Sequence, residues 1–226
     1  MKLSIIVPVL DEASAIEAAL RALAPTRVRG VELIVVDGGS HDGTPELARP
    51  LADRVLSAAS GRAVQMNAGA AVARGDVLLF LHADTQLPVD ADRLLLDGLS
   101  RSGRVWGRFD IRIAGGGLLR VVAAMMNARS RLTGIATGDQ AMFVNRAAFD
   151  AVGGFPPIAL MEDLALSARL KGVGRPLALG ARVTTSPRRW HEHGTLRTIF
   201  KMWRLRLRYF LGADPEKLAR QYGYRY

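Results

Sequence analysis

Hydrophobic and polar positions along residues 1–100 alternate between short strand patterns and short helix patterns. Apolar runs rich in β-branched residues predict buried strands, and they cover residues 3–9, 31–36, 54–56 and 77–81. Helical patterns separate these runs, and they cover residues 14–23, 44–51 and 61–73. Ser14–Glu17 resembles a capping box, and Thr44-Pro45 is a typical helix start. The alternation predicts a mostly parallel sheet with helices on both faces.

The pattern is less regular after residue 100. Residues 105–113 alternate like a half-exposed strand, and Gly115–Gly117 form a flexible joint before a helical stretch that ends near Ser130. Further short elements are predicted as strands at 141–144 and 177–184 and as helices at 146–152 and 161–170. No internal repeat or low-complexity linker is present, so the sequence favours a single α/β domain.

Composition excludes several classes of protein. The chain has 226 residues, 49% of them hydrophobic and 23% charged, which is typical of a folded domain. It has no cysteine, so disulfides, thiolate catalysis and Cys-ligated metal sites are excluded. No apolar run approaches the roughly 18 residues of a membrane-spanning helix. Asp11-Glu12 follow the first apolar run, which therefore reads as an uncleaved strand and predicts a cytoplasmic protein.

Charge is distributed unevenly around a formal net value of +10. Residues 1–100 carry 9 basic and 13 acidic side chains, whereas residues 101–226 carry 22 basic and 8 acidic ones. This asymmetry indicates an anionic partner for the second half, such as a phosphorylated ligand, nucleic acid or a membrane surface. Arginine accounts for 27 of the 31 basic residues, an excess that codon usage also explains.

A basic amphipathic helix is predicted at residues 195–211. Its basic positions form one stripe at 197, 201, 204 and 208, and its apolar positions form the opposite face at 196, 199, 200, 203, 207, 210 and 211. Such a helix can rest reversibly on an anionic bilayer at the cytoplasmic membrane surface. It can equally pack its apolar face on the core and solvate its charges.

Acidic residues follow three of the predicted strands, at Asp11-Glu12, Asp37 and Asp84. The carboxyl ends of parallel strands meet at one edge of a sheet, where ligands bind. Asp37 begins a glycine-rich loop, which permits close approach of a ligand but also describes a plain turn. Asp84 is a candidate ligand for Mg²⁺ or Mn²⁺ on a diphosphate, or else a turn residue.

Two further clusters in the second half carry candidate chemistry. Glu162-Asp163 open a helix, where acids stabilise the helix dipole or act as a general base and its neighbour. Arg188-Arg189-Trp190 follow the last strand, so they are candidates for neutralising a diphosphate and stacking on a sugar ring. His191 and His193 are two residues apart, which does not suit a metal pair in an extended segment.

Six motifs together resemble a family-2 glycosyltransferase of the Rossmann-like GT-A fold. They are the stretch Ser4–Glu12, the stretch Val35–Ser40 with Asp42–Thr44, Arg62 with Asn67 and Gly69, Gly75-Asp76, the stretch Phe80–Asp84, and Glu162-Asp163 followed by Arg189-Trp190. They span residues 2–190 in the family's order. A small bacterial subfamily, associated with radical-SAM and selenium-domain proteins, looks most similar.

The resemblance implies a function for each motif. The chain would be an inverting hexosyltransferase that uses a nucleoside-diphosphate sugar, with Mg²⁺ or Mn²⁺ on Asp84 and Asp163 as the base beside Glu162. Residues expected to hold the donor are Pro8, Asp11, Glu12, Asp37, Arg62, Asn67, His82 and Asp84. Those expected on the diphosphate and acceptor side are Gly138, Asp139, Gln140, Arg188, Arg189 and Trp190. The acceptor carries a hydroxyl and can be lipid-linked, and no nucleic acid partner is implied.

The same resemblance divides the chain into a GT-A domain at 1–190 and a basic helical extension at 191–226. The nucleotide-binding half is expected at 1–100 and the acceptor half at 101–190. Two departures matter: His82 replaces the usual first acid of the metal motif, and Ser186 replaces a glutamine, which disfavours a processive synthase. The alternatives are a sugar-nucleotidyltransferase and a non-catalytic nucleic-acid-binding protein.

Overall fold

The computed structural model describes residues 1–223, apart from the side chains of Arg189 and His193. The first half of the chain alternates strands and helices. Its strands are β1 (Leu3–Val9), β2 (Glu32–Asp37), β3 (Arg54–Ser57), β4 (Val77–Phe80) and β5 (Thr85–Gln86). Its helices are α1 (Ala13–Ala22), α2 (Ala24–Val28), α3 (Thr44–Ala48), α4 (Arg62–Val72) and α5 (Ala91–Ser102).

The second half adds three strands and more helices. The strands are β6 (Trp106–Ile113), β7 (Phe143–Asn145) and β8 (Leu177–Thr185). The helices are α6 (Leu118–Thr133), α7 (Arg146–Ala151), α8 (Glu162–Val173), α9 (Arg188–His193), α10 (Thr195–Phe210) and α11 (Pro215–Tyr222), with a 3-10 turn at Gly138–Gln140. No helix within residues 1–223 is long and apolar enough to cross a bilayer.

The strands form one mixed sheet in the order β3-β2-β1-β4-β7-β6-β8-β5. The first four pair in parallel, which confirms the parallel sheet predicted from the continuous apolar runs. β7 runs antiparallel to β4 and to β6, and β8 pairs in parallel with β6. The carboxyl ends of β1 and β4 therefore lie side by side at one edge of the sheet.

Helices cover both faces of the sheet. In β1, Ile5 and Val7 pack with α1, α5 and α6 on one face, whereas Ile6 packs with α4, α7 and α8 on the other. Both faces exclude water, because Ile5, Ile6 and Val7 are each at most 1% exposed. Side chains that point to opposite faces at successive positions explain why the strand reads as an uninterrupted apolar run.

The predicted half exposure of the strand at 105–113 is wrong. In β6, Arg108 is 1% exposed and Asp110 is 8% exposed, and the two form an ion pair inside the protein. Arg131 of α6 pairs with the other carboxylate oxygen of Asp110 at 2.7 Å. Arg108 and Asp110 are thus buried as paired charges, whereas Arg112 is exposed. A polarity pattern cannot distinguish buried paired charges from solvated ones.

The predicted capping box at the start of α1 is also absent. The helix begins one residue earlier, at Ala13, and its N-cap residue Glu12 makes no side-chain cap. The backbone N–H of Ala13 instead donates to Asp42 Oδ2 at 2.8 Å, and that of Glu12 donates to Thr44 Oγ1 at 2.9 Å. The loop after β2 therefore satisfies the first turn of α1.

Helices α10 and α11 pack on the start of α8. Leu205 and Leu218 are fully buried in a cluster with Met161 and Leu164. Met161 and Leu164 flank the Glu162-Asp163 pair along the chain. The C-terminal helices thus support the segment that carries the candidate base.

Candidate active site

Two cavities open at the edge of the sheet where β1 and β4 end. The first, which we call the β1 cleft, has a volume of about 290 Å³ and is bounded by residues 8–10 and 12, by residues 60–62 and by Arg188. The second, the α6–α10 cavity, has a volume of about 220 Å³ and lies between those two helices. Arg62, His82 and Asp84 line both. These three residues mark the junction between the two spaces.

Loop-to-loop hydrogen bonds hold one wall of the β1 cleft. Asp11 adopts a positive φ of 51° and accepts a hydrogen bond from the backbone N–H of His41 at 2.9 Å. Its own N–H donates to Ser40 Oγ at 2.9 Å. Asp11 therefore ties the loop after β1 to the loop after β2, and it does not itself line either cavity.

Asp37 is buried within its own loop. It is 3% exposed, and its carboxylate accepts hydrogen bonds from the N–H of Gly39 and from the N–H and hydroxyl of Ser40. These bonds form a tight turn in which Gly39 has a φ of +96°. Asp37 lies at the expected strand end but is not among the cavity residues, so its contact with a nucleotide stays a prediction.

Two other residues that were predicted to bind ligands make structural contacts, and their part in binding stays a prediction. Asn67 bridges α4 to residue 155, since its amide donates to the carbonyl of Phe155 at 2.8 Å and accepts from the N–H of Phe155 at 3.0 Å. Gln140 is fully buried and caps the 3-10 turn through Thr137. Neither side chain reaches the two cavities.

The segment that follows β8, with Arg188 and Trp190, lies against the loop that follows β1, with Glu12. Arg188 Nη2 lies 3.2 Å from Glu12 Oε1, and both residues line the β1 cleft. Glu12 Oε2 is buried and accepts no hydrogen bond from the described residues. Trp190 lines the α6–α10 cavity and packs on the core. The side chain of Arg189 lies outside the described part of the chain.

Asp84 occupies the junction with one carboxylate oxygen engaged. Thr85 Oγ1 donates to Asp84 Oδ1 at 3.2 Å, and no described residue donates to Oδ2. Within residues 1–223 there is no group of three His, Asp or Glu side chains that could hold a metal ion. A single carboxylate fits Mg²⁺ or Mn²⁺ only where a diphosphate and water supply the remaining oxygens.

His82 contacts the 3-10 turn through Asp139. Its Nδ1 lies 3.5 Å from Asp139 Oδ1. Gly138 makes this approach feasible, because a Cβ atom on residue 138 would lie 2.5 Å from His82 Nε2. Gly138 was predicted to lie on the acceptor side. In the structure, its lack of a side chain leaves room for the ring of His82.

Replacing Gly138 with Ala is expected to lower turnover by about tenfold to a hundredfold, the cost of misplacing a group at a reaction centre. The added methyl group displaces the flexible imidazole of His82 rather than the backbone, so the melting temperature should change little. Steady-state kinetics and thermal melting of both proteins test this. Ala at Gly153, where a Cβ meets nothing within 4 Å, is the steric control, although its φ of +75° adds local strain. Equal turnover of Gly138→Ala and wild type would contradict the proposed contact.

Asp163 is oriented by backbone donors at the N-terminus of α8. Its Oδ2 accepts a hydrogen bond from the N–H of Gly138 at 2.7 Å, and its Oδ1 accepts one from the N–H of Leu164 at 2.7 Å. The first bond places the carboxylate behind Gly138 and Asp139, of which Asp139 lines the α6–α10 cavity. Asp163 is therefore adjacent to the cavity wall without being one of its lining residues.

Glu162 is buried beside Asp163 and is 6% exposed. Burial, and then the charge of Asp163, raise the pKa of Glu162 to about 7, against the weaker attraction of Arg62 and His82. The two acids therefore differ in environment, because Glu162 is enclosed whereas Asp163 accepts hydrogen bonds from two backbone N–H groups. Pairs of carboxyls separated in this way are common at catalytic sites.

Replacing Glu162 with Gln is expected to stabilise the fold at about pH 8 and to leave it nearly unchanged near pH 4. The unfolded carboxyl loses its proton near pH 4.5, whereas the folded one keeps it until about pH 7. Wild-type stability therefore falls as the pH rises through this window, by at most about 3 kcal/mol. Thermal melting of the wild type and of Glu162→Gln between pH 4 and pH 8 measures the difference in stability. A difference that does not change with pH would contradict the prediction.

Two arginines of the α6–α10 cavity were not identified from the sequence. Arg129 of α6 and Arg206 of α10 line it, and Arg129 Nε and Nη2 and Arg206 Nε are buried without a hydrogen-bond partner in the described structure. Burial, and then repulsion by Arg206, lower the pKa of Arg129 to about 10. Their separation of 77 positions along the chain leaves no local signal that pairs them.

An open, mostly parallel α/β sheet with a polar cleft at its carboxyl edge defines a nucleotide-binding class of fold. The model of glycosyl transferase family 2 matches residues 4–153. The chain therefore belongs to this family. The comparisons identify the family, and the finer likeness to the radical-SAM-associated subfamily stays a prediction.

Individual relatives agree with this assignment. The succinoglycan biosynthesis protein ExoA of Rhizobium meliloti is 37% identical over 111 residues, which cover 42% of this chain and 32% of the relative. S. aureus TarS 1–349 in complex with UDP-GlcNAc has a TM-score of 0.69 at 19% identity, over 82% of this chain and 58% of that one. The mannosyltransferase PcManGT of Pyrobaculum calidifontis, in complex with GDP-Man and Mn²⁺, has a TM-score of 0.67 at 19% identity. The match covers 99% of this chain and 69% of that one. Both solved structures share the GT-A fold; the chain spans about a third of ExoA.

Proposed function

We propose that this chain is a glycosyltransferase that moves a sugar from a nucleoside-diphosphate sugar to an acceptor hydroxyl, with inversion at the anomeric carbon. The observation that carries the proposal is the shared junction of Arg62, His82 and Asp84 between two cavities. A donor in the β1 cleft and an acceptor in the α6–α10 cavity would meet there. The sugar nucleotides in the solved structures of TarS and PcManGT support this class of donor.

The β1 cleft has groups suited to both ends of a nucleoside diphosphate. Glu12 Oε2, buried without a donor, can accept a hydrogen bond from a ribose hydroxyl or a base. Arg188 and Arg62 line the same cleft and can neutralise the negative charge that develops on the leaving diphosphate. Asp84 would hold Mg²⁺ or Mn²⁺, which supplies Lewis-acid stabilisation of that charge.

Asp163 is the proposed general base. The acceptor oxygen forms a bond to the anomeric carbon as the bond from that carbon to the diphosphate oxygen breaks. The electron pair leaves with the nucleoside diphosphate, and the acceptor proton passes to Asp163. Its two backbone donors, at Gly138 and Leu164, fix the carboxylate in place and leave further lone pairs free to accept the proton. One displacement inverts the anomeric centre.

Thermal melting against a panel of nucleotide sugars, with and without Mn²⁺, tests the donor. A ligand at about 100 times its dissociation constant stabilises the folded state by roughly 2.7 kcal/mol, so a bound donor raises the melting temperature visibly. A shift with one nucleotide sugar and none with the free sugar is the expected result. Release of pyrophosphate from a sugar phosphate and a nucleoside triphosphate would instead support a sugar-nucleotidyltransferase.

A further inference from the structure

Helix α10 exposes its apolar side chains instead of burying them. The stripe is at least 60% exposed at every position, and it consists of Leu196, Phe200, Trp203, Leu207 and Phe210. At 100° per residue these positions fall on one side of the helix. The core contact is made from another side, where Leu205 is fully buried and Thr198 is 4% exposed. The sequence left open whether the apolar face packs on the core; in the structure Ile199 of that face packs against the core, and the five residues of the stripe are exposed.

Helix α6 carries a second exposed apolar stripe. Leu118, Val121 and Met125 are 47%, 53% and 53% exposed, and Leu132 is 87% exposed. These positions recur at the spacing of one helix face. We call the two stripes together the apolar surface. A surface of this kind, flanked on α10 by the exposed Arg197 and Arg204, has the composition that favours an anionic bilayer over water.

The α6–α10 cavity opens at the edge of the apolar surface. Met125 and Trp203 belong to the exposed stripes and also line the cavity. Deeper lining residues are apolar as well, including Val122, Met126 and Ile199. A long hydrocarbon chain can therefore pass from a bilayer into the cavity without crossing a polar surface.

Arg129 and Arg206 also line this cavity. No described acidic side chain forms an ion pair with either, and they repel one another. The charge of Asp163, the proposed base, attracts Arg129. Three buried nitrogen atoms of these two arginines have no hydrogen-bond partner among the described residues, and they supply the charge and the donors that a phosphate group accepts.

We propose that the α6–α10 cavity binds a lipid-borne acceptor, with its phosphate group on Arg129 and Arg206 and the apolar surface resting on the bilayer. The inference rests on the proposed function, since the hydroxyl that attacks the donor must lie beyond the phosphate, toward the junction. The phosphate is a point of attachment and takes no part in bond making. The acceptor class is thus a hydroxylated head group joined through phosphate to a long hydrocarbon chain.

Vesicle flotation tests the proposal without needing turnover. The wild-type chain should bind phosphatidylcholine vesicles that contain polyprenyl phosphate more tightly than vesicles that contain the uncharged polyprenol. The double variant Arg129→Gln/Arg206→Gln should lose that difference, by about tenfold for each charge-assisted hydrogen bond removed. Phe200→Ser/Leu207→Ser should weaken binding to both kinds of vesicle.

The matched control removes two exposed arginines outside the proposed binding surface. Arg120 of α6 and Arg101 of α5 are exposed and line neither cavity, so Arg120→Gln/Arg101→Gln should keep the preference for polyprenyl phosphate. An equal loss in this control would overturn the proposal, because general charge attraction would then explain the binding. Competition by inorganic phosphate at the same concentration as polyprenyl phosphate would overturn the lipid assignment, because the hydrocarbon chain would then contribute nothing. Thermal melting confirms that each variant is folded.

Donor binding separates this inference from the proposed function. The cavity variants should keep the melting shift that a nucleoside diphosphate gives with Mn²⁺. A tenfold loss of nucleotide affinity would assign the arginines to the donor diphosphate and overturn the lipid site. Conversely, the wild-type chain could prefer vesicles with polyprenyl phosphate and yet show no melting shift with any nucleotide. That result would contradict the proposed donor and would still support the lipid site.

Discussion

Replacing Asp163 with Asn is expected to lower turnover by about 10²–10⁴-fold, the usual contribution of a general base. Asn cannot take a proton from the acceptor hydroxyl, but its side-chain oxygen can still accept the hydrogen bond from the N–H of Gly138. The carboxamide should therefore keep its position and the fold should be retained. Steady-state kinetics give the loss in turnover, and thermal melting with the donor shows that donor binding is kept.

Two further carboxylates make this experiment specific. Asp97 of α5 is exposed, so Asp97→Asn removes the same charge at a distance and should leave turnover unchanged. Asp139 lines the α6–α10 cavity and lies near His82, which makes it the rival base. The larger loss should follow the change at Asp163. Near-normal transfer by Asp163→Asn, with a collapse in Asp139→Asn, would move the base to Asp139.

The parallel half of the sheet was predictable because burial on both faces leaves an unbroken apolar run. β1 was predicted at its observed bounds, and β4 differs by one residue at its end. Helix α5 and the short strand β5 were missed. Residues 91–102 mix acids and arginines with leucines over only three turns, and β5 has two residues. Packing against β8 decides such elements more than their own pattern does.

The site was only partly predictable, because a motif identifies residues without identifying their partners. Asp84, His82 and Arg62 do meet at the junction. Asp11 and Asp37 come from equally distinctive motifs, yet their carboxylates are engaged by the loop between β2 and α3. Acids at strand ends thus occupy two kinds of position, beside a cavity or within a loop closure. Only the hydrogen bonds distinguish them.

Arg129 and Arg206 line a cavity although the sequence did not identify them as site residues. Each occurs in an amphipathic helix rich in arginine, where a charged side chain is normally solvated. Their burial depends on how α10 docks, and that is set by Leu205 and Leu218 in contact with the start of α8. One tertiary contact therefore creates the cavity, brings the two cations together and supports the segment of the proposed base.

Replacing Asp84 with Asn is expected to abolish the effect of Mn²⁺ on donor binding and to lower turnover by about 10³-fold, since metal stabilisation of a transition state contributes several kcal/mol. Asp84 is the junction carboxylate, and its Oδ2 has no donor within the described residues. Wild-type protein with a nucleoside diphosphate should melt at a higher temperature when Mn²⁺ is added. The variant should melt at the same temperature with and without it.

His82 supplies the matched control for the metal. It lines the same junction but lies 3.5 Å from Asp139 through Nδ1, and the described structure has no three-residue group to hold an ion. His82→Gln should therefore keep the Mn²⁺ response that Asp84→Asn loses. If both variants lose the Mn²⁺ response, the imidazole of His82 is a second metal ligand in the position of the usual first acid of the metal motif. If Asp84→Asn keeps it, the metal does not bind through this strand end, and the leaving diphosphate depends on Arg62 and Arg188 alone.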